Sequence, residues 1–258
     1  MWTRRGLMAG AAAVGAATTL GWAGTAQAAT VPVFSDGFEG GDLSLWDRAR
    51  VDGNGVGEVV TTPVHQGSHA ARFTVPNDGE SYRSEIALDP TFGPGTYRYS
   101  WFNLLPEDWV IDETAVITGQ WHGYPLINGK STNPPIAINV KADRWRLTVN
   151  HLVDPVTTAR VQYDLGPIVL GHWNAWDVRI DWTTNTRAGR IVVRRDGKLV
   201  GMHRGVNHYQ QNQLPYVKFG LYKANWNPAK GIDYPTGGPD VEMFYDTIAI
   251  DRLPPGTE

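Results

Sequence analysis

From Val31 to Leu253 the chain is written in short runs of alternating apolar and polar residues, cut by Gly, Pro, Asn and Asp. No long segment of period 3.6 interrupts them. Alternation of period two puts successive side chains on opposite faces of a strand, so such runs predict half-buried β-strands. Nine stretches read this way: HAARFTV (69–75), GTYRYSWFNLL (95–105), AVITGQWH (115–122), PIAINV (135–140), RWRLTVN (144–150), WNAWDVRIDW (173–182), RIVVRRDGKLV (190–200), YVKFGLYK (216–223) and VEMFYDTIAID (241–251). Asp196-Gly197 marks a hairpin tip in the seventh, because both residues tolerate the positive φ of a tight turn. So many strands at this spacing predict an all-β fold, a jelly-roll sandwich of two antiparallel sheets. The segments 123–135 and 224–240 read as long loops, which in a sandwich often carry function.

The first 28 residues stand apart. Arg4 and Arg5 precede an Ala/Gly-rich run, and Ala26-Gln27-Ala28 supplies small residues for cleavage. This pattern is expected of a secretory signal of twin-arginine type, leaving one domain over 29–258 in an exported protein. No later segment reads as a membrane span. The net charge of −3 argues against a nucleic-acid partner, which favours a basic surface. With no cysteine, no disulfide braces the fold. Eleven Trp and ten Tyr offer flat apolar faces of the kind that pack on sugar rings.

Three strands carry ionisable groups on one face. In YRSEIAL, Arg83 and Glu85 alternate away from Ser84 and Ile86. In GQWHG, Gln120 and His122 share a face that Trp121 does not. In YVKFGLYK, Lys218, Gly220 and Tyr222 lie opposite Val217, Phe219 and Leu221. Taken one at a time, each is compatible with an ordinary solvated sheet face.

In order, these strings resemble the motifs of jelly-roll polysaccharide lyases: R-[ST]-E-[LI], Q-x-H and Y-x-K-x-G-x-Y. The resemblance covers nearly all of 29–258 and is to the glucuronan-lyase and heparin-lyase-like branch, related to the jelly-roll alginate lyases. Ala87 and Lys223 depart from the alginate pattern. The resemblance implies β-elimination on an anionic, uronate-containing polysaccharide, β-1,4-glucuronan being the leading expectation. It implies that Gln120 faces the substrate carboxylate, that Arg83 contacts substrate or orients Glu85, and that His122 and Tyr222 share the acid–base work. Which of the two is the base depends on the sugar. When the C5 hydrogen and C4 oxygen leave from one side, as in D-glucuronate, tyrosine serves both steps; when they leave from opposite sides, His122 is the base.

Further substrate contacts are expected from Glu85, Lys218, Asn139, Lys141 and Arg146 on the same face, and from Trp226 and Tyr234 in the last loop. No catalytic cofactor is implied. A structural calcium ion is expected as well: SDGFEGG and FYDTIAID resemble the paired segments that hold one on the outer side of related concanavalin-like sandwiches, with Glu39, Asp246 and backbone carbonyls as oxygen ligands. The protein is expected to be a monomer. A glycoside hydrolase on the same fold and a non-catalytic carbohydrate-binding module are the alternatives. The first would need a facing pair of carboxylates, and no central strand shows one.

Overall fold

The computed structural model describes residues 29–89, 95–126, 128–154, 156–183, 189–209 and 214–254. The proposed signal segment lies outside them. Two antiparallel sheets face each other. The outer sheet holds β1 (Val31–Asp36), β3 (Val56–Val60), β4 (Ala70–Val75), β6 (Thr96–Leu104), β11 (Trp173–Asp181), β12 (Arg190–Arg195), β13 (Lys198–Arg204) and β15 (Val241–Leu253). Its order is β13-β12-β11-β6-β15-β4-β3, with β1 also paired to β15. The inner sheet holds β2 (Arg48–Asp52), β5 (Arg83–Leu88), β7 (Val116–His122), β8 (Ile136–Lys141), β9 (Arg144–Leu152), β10 (Thr158–Pro167) and β14 (Tyr216–Tyr222), in the order β10-β9-β8-β7-β14-β5-β2. Every pairing among these strands is antiparallel. This is the jelly-roll sandwich that the alternation predicts.

All nine predicted stretches are strands. The β12–β13 hairpin turns at Asp196 and Gly197, whose φ of 53° and 74° fit a tight turn of positive φ. The described residues of 123–135 and 224–240 form loops, apart from two single turns of 3-10 helix at Ala224–Trp226 and Pro228–Lys230.

Aromatic side chains fill the space between the sheets. Trp121 is fully buried, with Tyr99 at 5.0 Å and Trp101 at 6.5 Å between ring centroids. Trp101 in turn meets Phe219 at 5.1 Å and Trp176 at 5.9 Å. Edge-to-face and offset contacts of this kind each add roughly 0.5–1.5 kcal/mol beyond the burial of area. Trp121 therefore pins β7 from behind, and strict alternation turns Gln120 and His122 to the other face.

Candidate active site

The register of the inner sheet arranges its outward face in transverse rows. One row runs Arg48–Ala87–Lys218–Gln120–Ala137–Thr148–Gln162 across all seven strands. A second runs Asp52–Arg83–Tyr222–Ile117–Asn139–Arg146–Asp164. Between them Arg50, Glu85 and Gly220 face one another on β2, β5 and β14. Beyond the first row, His122 lies opposite Tyr216.

Glu85 is the centre of the floor. It is 2% exposed and accepts hydrogen bonds from Gln120 Nε2 and from Lys218 Nζ, the latter at 3.1 Å. Arg83 Nε sits 3.4 Å from Glu85 and 3.3 Å from Asp52. Burial pushes the Lys218 ammonium down from its ordinary value, and Glu85 opposes that shift. Gly220 makes the arrangement possible. Its φ of 124° disfavours an L side chain, and a Cβ there would collide with the Ser84 carbonyl and approach Glu85 Cα to 2.8 Å.

Three of the expected substrate contacts thus lie together in a buried floor. Gln120 is 1% exposed, and its amide nitrogen donates to Glu85, which orients the side chain. Lys218, 1% exposed, and Glu85 are likewise partners of each other. A polar group needs a partner once water is excluded, and these three satisfy one another.

Tyr222 is also displaced from its expected neighbour. It pairs with Ile117 and Arg83, five residues along β7 from His122, which is roughly 16 Å of strand. Its ring lies 4.3 Å from the Arg83 guanidinium carbon. The tyrosine beside His122 is Tyr216, the first residue of the same Y-x-K-x-G-x-Y string, with ring centroids 5.2 Å apart. Sequence reasoning overlooked it, although alternation puts Tyr216 and Tyr222 on one face. Only the antiparallel register tells which of them meets the histidine.

His122 is half-buried. Its Nδ1 lies 2.7 Å from the Gly123 carbonyl and donates to it, so Nε2 carries the free lone pair. Burial, followed by the charges of Lys218, Arg83 and Arg50, lowers its pKa to about 4, so the ring is neutral near pH 7. Burial raises the pKa of Tyr216, while Arg48 and Arg50 pull against the rise. Arg48 stands 4.8 Å and Lys218 5.8 Å from the Tyr216 ring centroid. The pair is thus a neutral base beside a protonated phenol, in a positive field.

The remaining sequence candidates divide. Asn139, Lys141 and Arg146 do lie on this face; Asn139 donates to Thr148 Oγ1 at 3.0 Å, Lys141 is exposed and Arg146 is half-buried. Trp226 and Tyr234 pack the last loop instead of opening toward the groove. Trp226 is 8% exposed, its ring 5.5 Å from that of Tyr234, whose hydroxyl donates to Asp112. Lys223 donates to the same carboxylate. Burial favours the neutral acid at Asp112, yet these hydrogen bonds outweigh it and hold the pKa at about 2.

Glu39 and Asp246 both grip the turn at residues 65–69. Asp246 Oδ2 accepts from the backbone N–H of His65 at 2.8 Å and of Gln66 at 2.9 Å. Glu39 Oε1 accepts from the N–H of Ser68 and His69 at 2.9 and 3.1 Å. Calcium requires oxygen donors, whereas these carboxylates are supplied with N–H groups. Among the described residues no three His, Cys, Asp or Glu side chains group as metal ligands.

The inner sheet of this jelly-roll sandwich thus carries a neutral histidine beside a tyrosine, among a cluster of cations. The family model described as polysaccharide lyase matches residues 38–249, and the chain belongs to that family. It is a lyase and acts by β-elimination on an acidic, uronate-containing polysaccharide. Among solved structures it is similar to an endo-β-1,4-glucuronan lyase from the fungus Trichoderma reesei, at 19% identity over 86% of this chain and 96% of that one, with a TM-score of 0.72. It is also similar to alginate lyase A1-II′, a member of polysaccharide lyase family-7, at 18% identity over 76% and 83% of the two chains and a TM-score of 0.52. A cellulose-induced protein, Cip1, aligns at 16% identity over 84% and 96%, with a TM-score of 0.53. No curated protein sequence matches the chain. No helix among the described residues is long and apolar enough to cross a membrane.

Proposed function

We propose that this chain is a secreted lyase for a D-configured polyuronate, β-1,4-glucuronan being the leading substrate, with His122 and Tyr216 as its acid–base pair. The observation that carries the reading is their cross-strand pairing on one sheet face. Two neighbours on one face reach a bound sugar from the same side. That suits D-glucuronate, in which the C5 hydrogen and the C4 oxygen depart from one side.

The C5 proton is weakly acidic while the adjoining carboxylate is charged. Burial, helped by the positive field of Lys218, Arg83 and Arg50, keeps His122 neutral, and the same field stabilises the charge that builds on that carboxylate as the proton leaves. A same-side departure would let one tyrosine serve both steps, but burial keeps the Tyr216 phenol protonated while His122 is neutral. His122 Nε2 therefore takes the C5 proton, the C4–O bond breaks, and the Tyr216 hydroxyl protonates the departing oxygen. A positioned acid or base of this sort contributes about 10²–10⁴ in rate. The similarity to a structure described as a glucuronan lyase supports the choice of substrate.

The test is a panel of glucuronan, alginate, hyaluronan, heparan and pectate, followed by the ultraviolet absorbance of unsaturated uronate. Glucuronan is expected to give the strongest signal. Absence of unsaturated product from the whole panel would overturn the reading.

A further inference from the structure

The row that contains Lys218 and Arg48 has a gap between them. Lys218 on β14, Ala87 on β5 and Arg48 on β2 are successive cross-strand partners, so Lys218 and Arg48 stand two strand spacings apart, roughly 10 Å. The residue between them is alanine, 2% exposed. A cavity of about 270 Å³ sits there, lined by Arg48, Arg50, Ala87, Tyr216 and Lys218.

The charges around it are unequal. Arg48 pairs with Asp89, Arg50 Nε is 3.9 Å from Asp52, and Lys218 is held by Glu85. Asp52 and Glu85 are also the counter-ions of Arg83, so four cations share three carboxylates. The Arg48 and Arg50 side chains are 50% and 54% exposed, and solvent-screened ion pairs of this kind contribute little. An incoming carboxylate competes with them at small cost, and a planar guanidinium binds it in two-pronged fashion.

Resting on the lyase reading above, we infer that this cavity is a second uronate subsite: it takes the carboxylate of a sugar next along the same chain from the one being cleaved. Arg48 and Arg50 supply the donors, Ala87 leaves the room, and the Tyr216 ring forms the wall shared with the reacting sugar. The consequence is specificity. A polymer of consecutive uronates fills both sites, whereas one in which uronates alternate with neutral or amino sugars leaves the second without its carboxylate.

The experiment compares the wild-type protein with Arg48→Gln/Arg50→Gln and with Ala87→Met, which fills the cavity and keeps every charge. Initial rates are measured on oligoglucuronates and on oligosaccharides with alternating uronates. Calorimetry measures binding of saturated glucuronate oligomers to each protein. On oligoglucuronate, both variants are expected to raise KM about tenfold and to weaken binding by the same factor. The kcat should stay within twofold for Ala87→Met and fall for Arg48→Gln/Arg50→Gln, which also removes Arg50 from the field at the reacting carboxylate. The wild-type preference for consecutive uronates should collapse toward unity in both. Unchanged binding and KM in both variants would overturn the subsite. So would equal wild-type efficiency on the two substrate types. If the wild-type protein forms no unsaturated product, the lyase reading fails by itself, and the calorimetric comparison still decides whether the cavity holds a carboxylate.

Discussion

Tyr216 and His122 face each other across β14 and β7 with ring centroids 5.2 Å apart, while Tyr222 sits at the far end of the same strand, against Arg83. The two tyrosines belong to one motif and one face, yet the strand separates them by six residues. Only Tyr216 shares a sugar-sized neighbourhood with the histidine.

That placement gives a direct contrast. Tyr216→Phe and His122→Ala should each lower kcat by about 10²–10⁴, with melting temperatures near wild type for the phenylalanine variant. Tyr222→Phe should keep at least a tenth of wild-type turnover. Steady-state rates on glucuronan check all three, and a near-inactive Tyr222→Phe beside an active Tyr216→Phe would reverse the assignment.

The protonation of His122 sets two pH effects of one sign. Burial and neighbouring cations bring its pKa from 6.5 to about 4. Between those values the unfolded chain binds a proton that the folded chain refuses. Its contribution to stability is therefore complete above about pH 6.5 and is lost as pH falls toward 4. The acid limb of kcat/KM should likewise lie near 4, because only the neutral ring accepts a proton. Melting curves and rate profiles from pH 3.5 to 8, with His122→Gln as control, read both. An acid limb near 6.5 would show that the field around His122 is weaker than described.

Glu85 holds two buried cations in place. Glu85→Gln removes the counter-ion of Lys218 and one of the two beside Arg83. Leaving a buried charge uncompensated costs about 3–5 kcal/mol. Chemical denaturation should show a loss of that order, together with a large fall in turnover as the floor rearranges. A loss below about 1 kcal/mol would mean that water reaches Lys218.

Gly220→Ala should be among the most damaging small substitutions in the protein. The added methyl meets the Ser84 carbonyl and β5 backbone at a positive φ. Strain of this origin falls in the class of large single-residue effects, more than ~2 kcal/mol. Gly129→Ala, also at positive φ but with nothing within 4 Å of a Cβ, is the matched control and should cost less.

The turn at 65–69 separates a calcium-braced fold from one braced by hydrogen bonds. With Asp246 and Glu39 already holding backbone N–H groups, a chelator should leave the melting temperature unchanged. Asp246→Ala should lower it, because two backbone donors lose their acceptor. A chelator-induced drop restored by added calcium would establish the metal instead.

Much of the sandwich is legible in the alternation of residues. The nine stretches that show it most clearly are those with one face against the core, where burial enforces period two. β2 and β10 alternate as well, as RARVD and TARVQYDL, but both lie at sheet edges and remain largely exposed, and sequence reasoning passed over them. Yet β2 contributes Arg48 and Arg50, so the part of the groove that no motif announced is built from an edge strand.

By itself, then, the sequence determined which residues share a face: Trp121 inward with Gln120 and His122 outward, and Lys218 on the same side as both tyrosines. Period two is a local property of the backbone and needs no partner strand. What only the tertiary structure decided is which of those residues meet. Antiparallel register joins His122 to Tyr216 and leaves Tyr222 to Arg83. It also gathers Glu85, Gln120 and Lys218 into one buried floor, because groups desolvated together must satisfy one another.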